Sequence, residues 1–170
     1  ALTQLRAGDY RGNLASAAAD ESLASTPAVV VSTAVFWRSA WKYRTRGYRY
    51  CFWDNGTLLA NLLATANSLG QPARVSAGFV DADLDRLLGV DSEQEVSTCV
   101  VALGQAAGPR PYQVKELISI DSGDLGFSEP ISYPESDLLH AEARLESPGE
   151  VMAWRVHTHG TEVSVPGIAS

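Results

Sequence analysis

The spacing of apolar positions changes several times along the chain, and each change predicts a new element. In residues 1–25, Leu2, Leu5, Leu14, Ala17, Ala18 and Leu23 follow a helical pattern that Gly8 and Gly12 interrupt. Pro27 closes that segment, and residues 28–36 are β-branched and almost continuously apolar, as a buried strand requires. Helical spacing returns in Leu58, Leu59, Leu62, Leu63, Ala66 and Leu69, with Asp54 and Asn55 placed as N-caps and Gly70 and Pro72 as stops. These apolar residues spread broadly round the helical wheel, which predicts burial on more than one side. Residues 75–80 read as a short strand. Asp81 caps a short helix carrying Leu84, Leu87 and Leu88, closed by Gly89, and residues 96–103 form the second strong strand. Residues 105–137 read as loop, with 117–120 as their one apolar knot. Residues 138–145 hold a turn or two of helix with His140 and Arg144 on one side, residues 151–156 are a strand or a docked arm, and the polar tail 158–170 is disordered or held by another chain.

Composition narrows the class. The chain of 170 residues is 45% apolar and 19% charged, which supports one hydrophobic core and argues against disorder. Thirteen Lys and Arg stand against 20 Asp and Glu, and the formal charge of -7 repels nucleic acid and acidic lipid. No run reaches the roughly 20 apolar residues of a membrane-spanning helix. Cys51 and Cys99 sit in apolar, strand-like settings and read as reduced core residues. With His140, His157 and His159 so distant or differently spaced, no metal site or catalytic triad is predicted. No glycine-rich nucleotide motif follows a strand. The chain begins at Ala1 without a leader-like segment, so it reads as a processed product or fragment with a cytoplasmic location.

Against this acidic background residues 37–50 stand out. Arg38, Trp41, Lys42, Tyr43, Arg44, Arg46, Tyr48, Arg49 and Tyr50 alternate cations with aromatic rings. Two readings are open: a groove for a planar anionic ligand, or a solvated hairpin whose cations pair with surface carboxylates. Asn61, the polar member of the following helix, either caps a neighbouring loop or faces a cofactor edge.

Residues 36–50 and 54–70, with Gly78-Phe79, the helix ending Leu87-Leu88-Gly89 and the strand end 100–104, resemble the azoline dehydrogenase branch of the nitroreductase-like FMN oxidoreductases. The resemblance implies an α+β fold, with a central, mostly antiparallel sheet wrapped by helices and FMN held at a dimer interface. It assigns residues 1–130 to a nitroreductase-like domain, the carboxy-terminal part of that fold, and 131–170 to an extended arm or linker. It further implies oxidation of a peptide azoline to an azole, a step of natural-product biosynthesis. By position, Lys42 and Tyr43 match the branch's proton-transfer pair. Like charges nearby favour a neutral amine, the form a general base needs. Arg38 and Asn61 fall at cofactor-facing positions, and Asp54 at a position that is usually acidic.

The departures carry an expectation of their own. Ala60 and Gln71 replace a Gln and a Gly of the family pattern, and residues 1–24 lack an Arg-Arg-Ser type segment for the flavin phosphate, offering only Arg6 and Arg11. The chain therefore reads as a partial or composite domain that works as a homodimer or a hetero-oligomer, with another polypeptide segment supplying the phosphate site. The alternative is a non-catalytic structural or peptide-binding subunit on the same scaffold.

Overall fold

The structure is a computed structural model and describes residues 3–120 and 132–159. In chain order it holds helix α1 (Arg11–Ala17), a 3-10 turn (Glu21–Ser25), strand β1 (Ala28–Val35) and helices α2 (Trp37–Tyr43) and α3 (Arg46–Ser68). Strand β2 (Ala73–Ser76), helix α4 (Asp81–Leu88), strand β3 (Glu95–Leu103) and helices α5 (Pro134–Ala143) and α6 (Pro148–His159) follow. The sheet order is β1-β3-β2, with β3 antiparallel to both neighbours. This is the expected α+β architecture, an antiparallel sheet wrapped by helices. None of the described helices is long and apolar enough to cross a membrane.

β3 is central because its sequence leaves no polar face for solvent. Residues 96–102 are all buried, and Val96, Val100 and Val101 are each 1% exposed. Burying side chains of this size contributes roughly 1.5–3 kcal/mol each. On one face Val100 and Ala102 meet Ala15, Ala17 and Ala18 of the α1 segment, Leu23, Phe79, and Leu84 and Leu87 of α4. Gly89 ends α4 in the left-handed conformation, with φ of 77°, as the sequence anticipates. The opposite face carries α3.

α3 starts at Arg46, not at the Asp54-Asn55 pair expected to cap it. The reason is a continuous packing stripe: Tyr48, Cys51, Asn55, Leu59, Leu62 and Ala66, at intervals of three and four, are all buried or half-buried. The stripe runs straight through the capping residues, and packing overrides their local preference. Burial on several sides is not seen among the described residues: Trp53, Leu58 and Leu69 are 60%, 51% and 68% exposed. Cys51 is thus helical, not in a strand, though both cysteines are free and buried.

β3 carries one bulge. Ser32 pairs with Cys99 but Thr33 with Ser97, which leaves Thr98 as the extra residue. The bulge lets Val96, packed on Cys51 and Phe36, share the α3 face with Cys99, whose Sγ lies beside Asn55. Thr98 Oγ1 donates to the Ser32 carbonyl at 3.0 Å, and Ser32 Oγ donates to Asn55 Oδ1 at 2.7 Å, tying α3 to both strands.

Residues 105–120 contain no helix or strand, and Leu117 packs on the main core. The expected boundary at 130/131 and the tail beyond residue 159 lie outside the described residues. Residues 148–159 are helical, which excludes the strand alternative for 151–156. Their docking is firm, since Val151 is fully buried and the Arg155 guanidinium donates to the carbonyls of Ala18, Ala19 and Gly78. α5 is seated by the His140 ring, which stands edge-on to Phe36 at 5.2 Å. A Cβ at Gly47 would lie 2.7 Å from the Ala40 backbone, so this glycine is what lets α2 lie against α3.

Two stability predictions follow from this packing. Gly47→Ala should cost about 1–3 kcal/mol through backbone overlap, whereas Gly56→Ala, open to solvent, should gain up to about 1 kcal/mol from helix propensity. Urea midpoints of the two variants check the contrast, and equal shifts would contradict it. The second concerns pH. Burial first, and then the Arg144 charge, hold His140 below its ordinary value of 6.5, against the opposing pull of Asp85 and Asp137. A histidine that resists protonation when folded gives its full contribution above the unfolded value and loses it as pH falls below. Stability should therefore decline as pH falls from about 7 to 5.5, and His140→Phe should flatten that decline in urea titrations at stepped pH. An identical slope in the variant would show that another group is responsible.

Candidate functional site

α2 is short and set by its surroundings. It starts directly from β1, and Arg44, at φ of 53°, takes the left-handed turn that reverses the chain into α3 while its N–H donates to the Ala40 carbonyl at 2.7 Å. The segment read either as a ligand groove or as a solvated hairpin is a helix–turn–helix, with α2 lying beside the first turns of α3. Arg38 and Lys42, four residues apart, share one exposed face, and Trp41 beside them is 58% exposed. Lys42 Nζ lies 5.3 Å from the centroid of the Tyr43 ring. Tyr43 meets Tyr50 edge-on at 4.6 Å, and Tyr50 meets Trp53 at 5.2 Å. The result is a ladder of rings flanked by cations.

Among the described residues, Arg38, Lys42, Arg44, Arg46 and Arg49 form no ion pair with a carboxylate. The pairing assumed in the solvated-hairpin reading is not present there. Asn61 lies elsewhere. It is exposed, its Nδ2 donates to the Thr57 carbonyl at 2.9 Å, and it stands about 15 Å along the axis from Cys51 at 1.5 Å per residue. The structure brings Arg38, Lys42 and Tyr43 to one corner and leaves Asn61 bonded to its own helix.

The residues of this corner suit a planar ligand with a phosphate: uncommitted cations beside aromatic faces, open to approach. The arginines of the amino-terminal segment do not. Arg6 donates to the carbonyls of Leu87, Ile118 and Arg86, at 2.9, 2.6 and 3.2 Å. Arg11 is bonded to the Thr26 carbonyl and to Asp9, whose carboxyl the Arg11 hydrogen bonds hold well below the usual range. Both guanidiniums thus hold the fold together. Among residues 3–24, no other Lys or Arg exists.

A second concavity lies on the other side of α2. A cavity of about 490 Å³ opens between the start of α2, α3, the turn at 92–94 and α5, with His140 in its wall. Sequence reasoning passed over it. Phe36, Tyr48 and His140 are brought together only by the docking of α5, and no motif joins them along the chain. The signal available was the side shared by His140 and Arg144 on their helix. Among the described residues no group of His, Cys, Asp or Glu side chains is arranged to hold a metal ion.

Comparison with known proteins places this geometry. The chain is 30% identical over 71 residues to the microcin B17-processing protein McbC of Escherichia coli, covering 42% of this chain and 26% of that protein. A nitroreductase-like structure from Anabaena variabilis superposes with a TM-score of 0.63 at 25% identity, over 82% of this chain and 29% of that one. The Escherichia coli microcin synthetase McbBCD complex, solved with truncated pro-MccB17 bound, shares the fold with a TM-score of 0.53 at 22% identity, over 64% of this chain and 41% of that one. The chain therefore spans less than half the length of each of these relatives. Residues 2–105 match the nitroreductase family, and the chain belongs to that family of FMN oxidoreductases.

Proposed function

We propose that the chain is a subunit of an FMN-dependent oxidoreductase that acts on a peptide, oxidising azoline rings to azoles. The observation that carries this reading is the exposed constellation of Arg38, Lys42 and Tyr43 beside the Tyr43–Tyr50–Trp53 ladder, in a family of flavin enzymes. The similarity to a microcin B17-processing protein supports a peptide substrate.

Aromatising an azoline removes two hydrogens, one as a proton and one as a hydride. Bound FMN supplies the two-electron acceptor for the hydride. The proton falls to this chain. Lys42 as the neutral amine, or Tyr43 as the phenolate, takes it, and with Lys42 Nζ 5.3 Å from the Tyr43 ring centroid each lies within the other's field. Arg38, on the Lys42 face, meets the cofactor as a cation. Asn61 takes part only if its amide turns away from Thr57.

The flavin phosphate is held mainly by a polypeptide segment other than residues 3–24, because Arg6 and Arg11 are bound to protein carbonyls and Asp9. The exposed apolar side chains of α3 and its end, Trp53, Leu58 and Leu69, fit assembly as a homodimer or with a different chain. The relative solved within a multi-protein complex supports such assembly.

Two experiments test the reading. Lys42→Ala and Tyr43→Phe should each lower azoline oxidation by the flavin-loaded assembly by about 10²-fold or more, with melting temperature and flavin content unchanged. Parallel loss of flavin or folding would make these residues scaffold, and the chain a non-catalytic peptide-binding subunit. Separately, fluorescence quenching of FMN by the isolated chain should show weak binding, and addition of the partner should yield one bound flavin per site. Tight one-to-one binding without a partner would refute the shared phosphate site.

A further inference from the structure

We propose that the cavity between α2, α3 and α5 is a second ligand site, for an uncharged planar heteroaromatic group bonded through a ring acceptor to His140 and Arg144. It does not depend on the reading of Lys42 and Tyr43. In α2 the cavity-lining positions, Trp37 and Ala40, lie on the side of the helix away from Arg38 and Lys42.

Three observations combine. The first is size and lining: about 490 Å³ falls in the range of small-molecule sites, and Phe36, Ala40 and Tyr48 give it an apolar wall. Phe36 and Tyr48 are already fixed against each other, with ring centroids 5.1 Å apart, so the wall is preformed.

The second is an unmet bonding group. His140 is about nine-tenths buried, and its Nε2 is buried without a hydrogen-bond partner among the described residues. Buried polar atoms almost always have partners, because leaving one unbonded carries the full cost of its desolvation. The imidazole is packed at its faces and edges by Phe36 and Tyr48, which satisfies the ring but not the nitrogen. With protonation disfavoured by burial and by Arg144, the neutral ring is favoured above pH 7, and in the Nε2–H tautomer it holds one unbonded donor within the cavity wall.

The third is charge. Arg144 lines the same cavity and forms no ion pair among the described residues, so it adds a donor fork near His140. Glu93 and Asp137 also line it, two carboxylates against one guanidinium, and the excess negative charge disfavours an anion. That disfavours a phosphate or an acidic peptide and favours a neutral ring with an acceptor atom. The same balance separates this site from the cationic corner around Lys42.

The test uses quinoxaline, a neutral bicyclic diazine, and its 2-carboxylate, titrated into the protein in the assembly in which it purifies, above pH 7. Binding is read from the His140 ring resonances by NMR and from calorimetry. Quinoxaline should saturate one site per chain with Kd of about 1 mM or tighter, shifting the His140 signals, and the carboxylate should bind about tenfold or more weakly. Arg144→Gln and His140→Phe should each weaken quinoxaline binding by about tenfold, with near-ultraviolet circular dichroism confirming the fold. Because Arg144 is only half-buried, its variant keeps the test decisive if His140→Phe misfolds. Lys42→Ala, which the flavin reading would disable, should bind quinoxaline as the parent does. No saturation, tighter binding of the carboxylate, or affinity unchanged by Arg144→Gln would overturn the proposal.

Discussion

The whole arrangement hangs on β3 being hydrogen-bonded along both edges and covered on both faces. A strand of seven consecutive buried residues cannot sit at a sheet edge without stranding its backbone groups, so β1 and β2 must flank it and helices must close over it. The bulge at Thr98 then sets the face that α3 receives. Without it Val96 and Cys99 would point to opposite sides of the sheet, and the helix would lose either its apolar seat on Val96 or its polar anchor through Asn55, Ser32 and Thr98.

That anchoring has a consequence for the corner. Because Cys51 and Asn55 fix the rotation of α3, Trp53 is turned toward solvent, and Tyr43 finds the half-buried Tyr50 at the reversal. Gly47 permits the close crossing that brings α2 alongside. The cations of α2 then project from a face that carries no described carboxylate partner. The arginines divide on this basis: Arg6, Arg11 and Arg155 are consumed in bonds to backbone carbonyls, while Arg38 and its neighbours form no ion pair among the described residues.

The exposed side of α3 shows the limit of a single chain as an energetic unit. Trp53, Leu58 and Leu69 belong to the same broad apolar pattern that suggested burial on several sides, yet only the stripe facing the sheet is covered. A solvent-facing apolar surface of this kind carries a cost in water that association relieves.

How much was legible in the sequence follows from the range of the forces involved. Periodicity and β-branching located β1, β3, α4 and the body of α3, because those patterns record which face of an element must leave water. Gly89 was readable as a helix stop for the same local reason. The residues of α2, Arg38, Lys42 and Tyr43, stood out through charge and aromatic alternation and a family resemblance, without showing that they form a helix. The start of α3 was misplaced because Asp54 and Asn55 are good caps in isolation, and only contact with Val96 and Ser32 makes 46–53 helical. Asn61 matched a pattern, yet its amide turned to Thr57, a bond within one turn that no alignment of positions reveals. The His140 cavity required Phe36, Tyr48 and α5, about 90 residues apart, to meet. The sequence by itself determined the elements, the acidic balance and the cationic aromatic segment, since these depend on neighbours along the chain. Tertiary structure alone decided which arginines are spent on carbonyls, which face of α3 stays open and where a buried histidine lacks a partner, because each depends on groups distant in sequence competing for the same space.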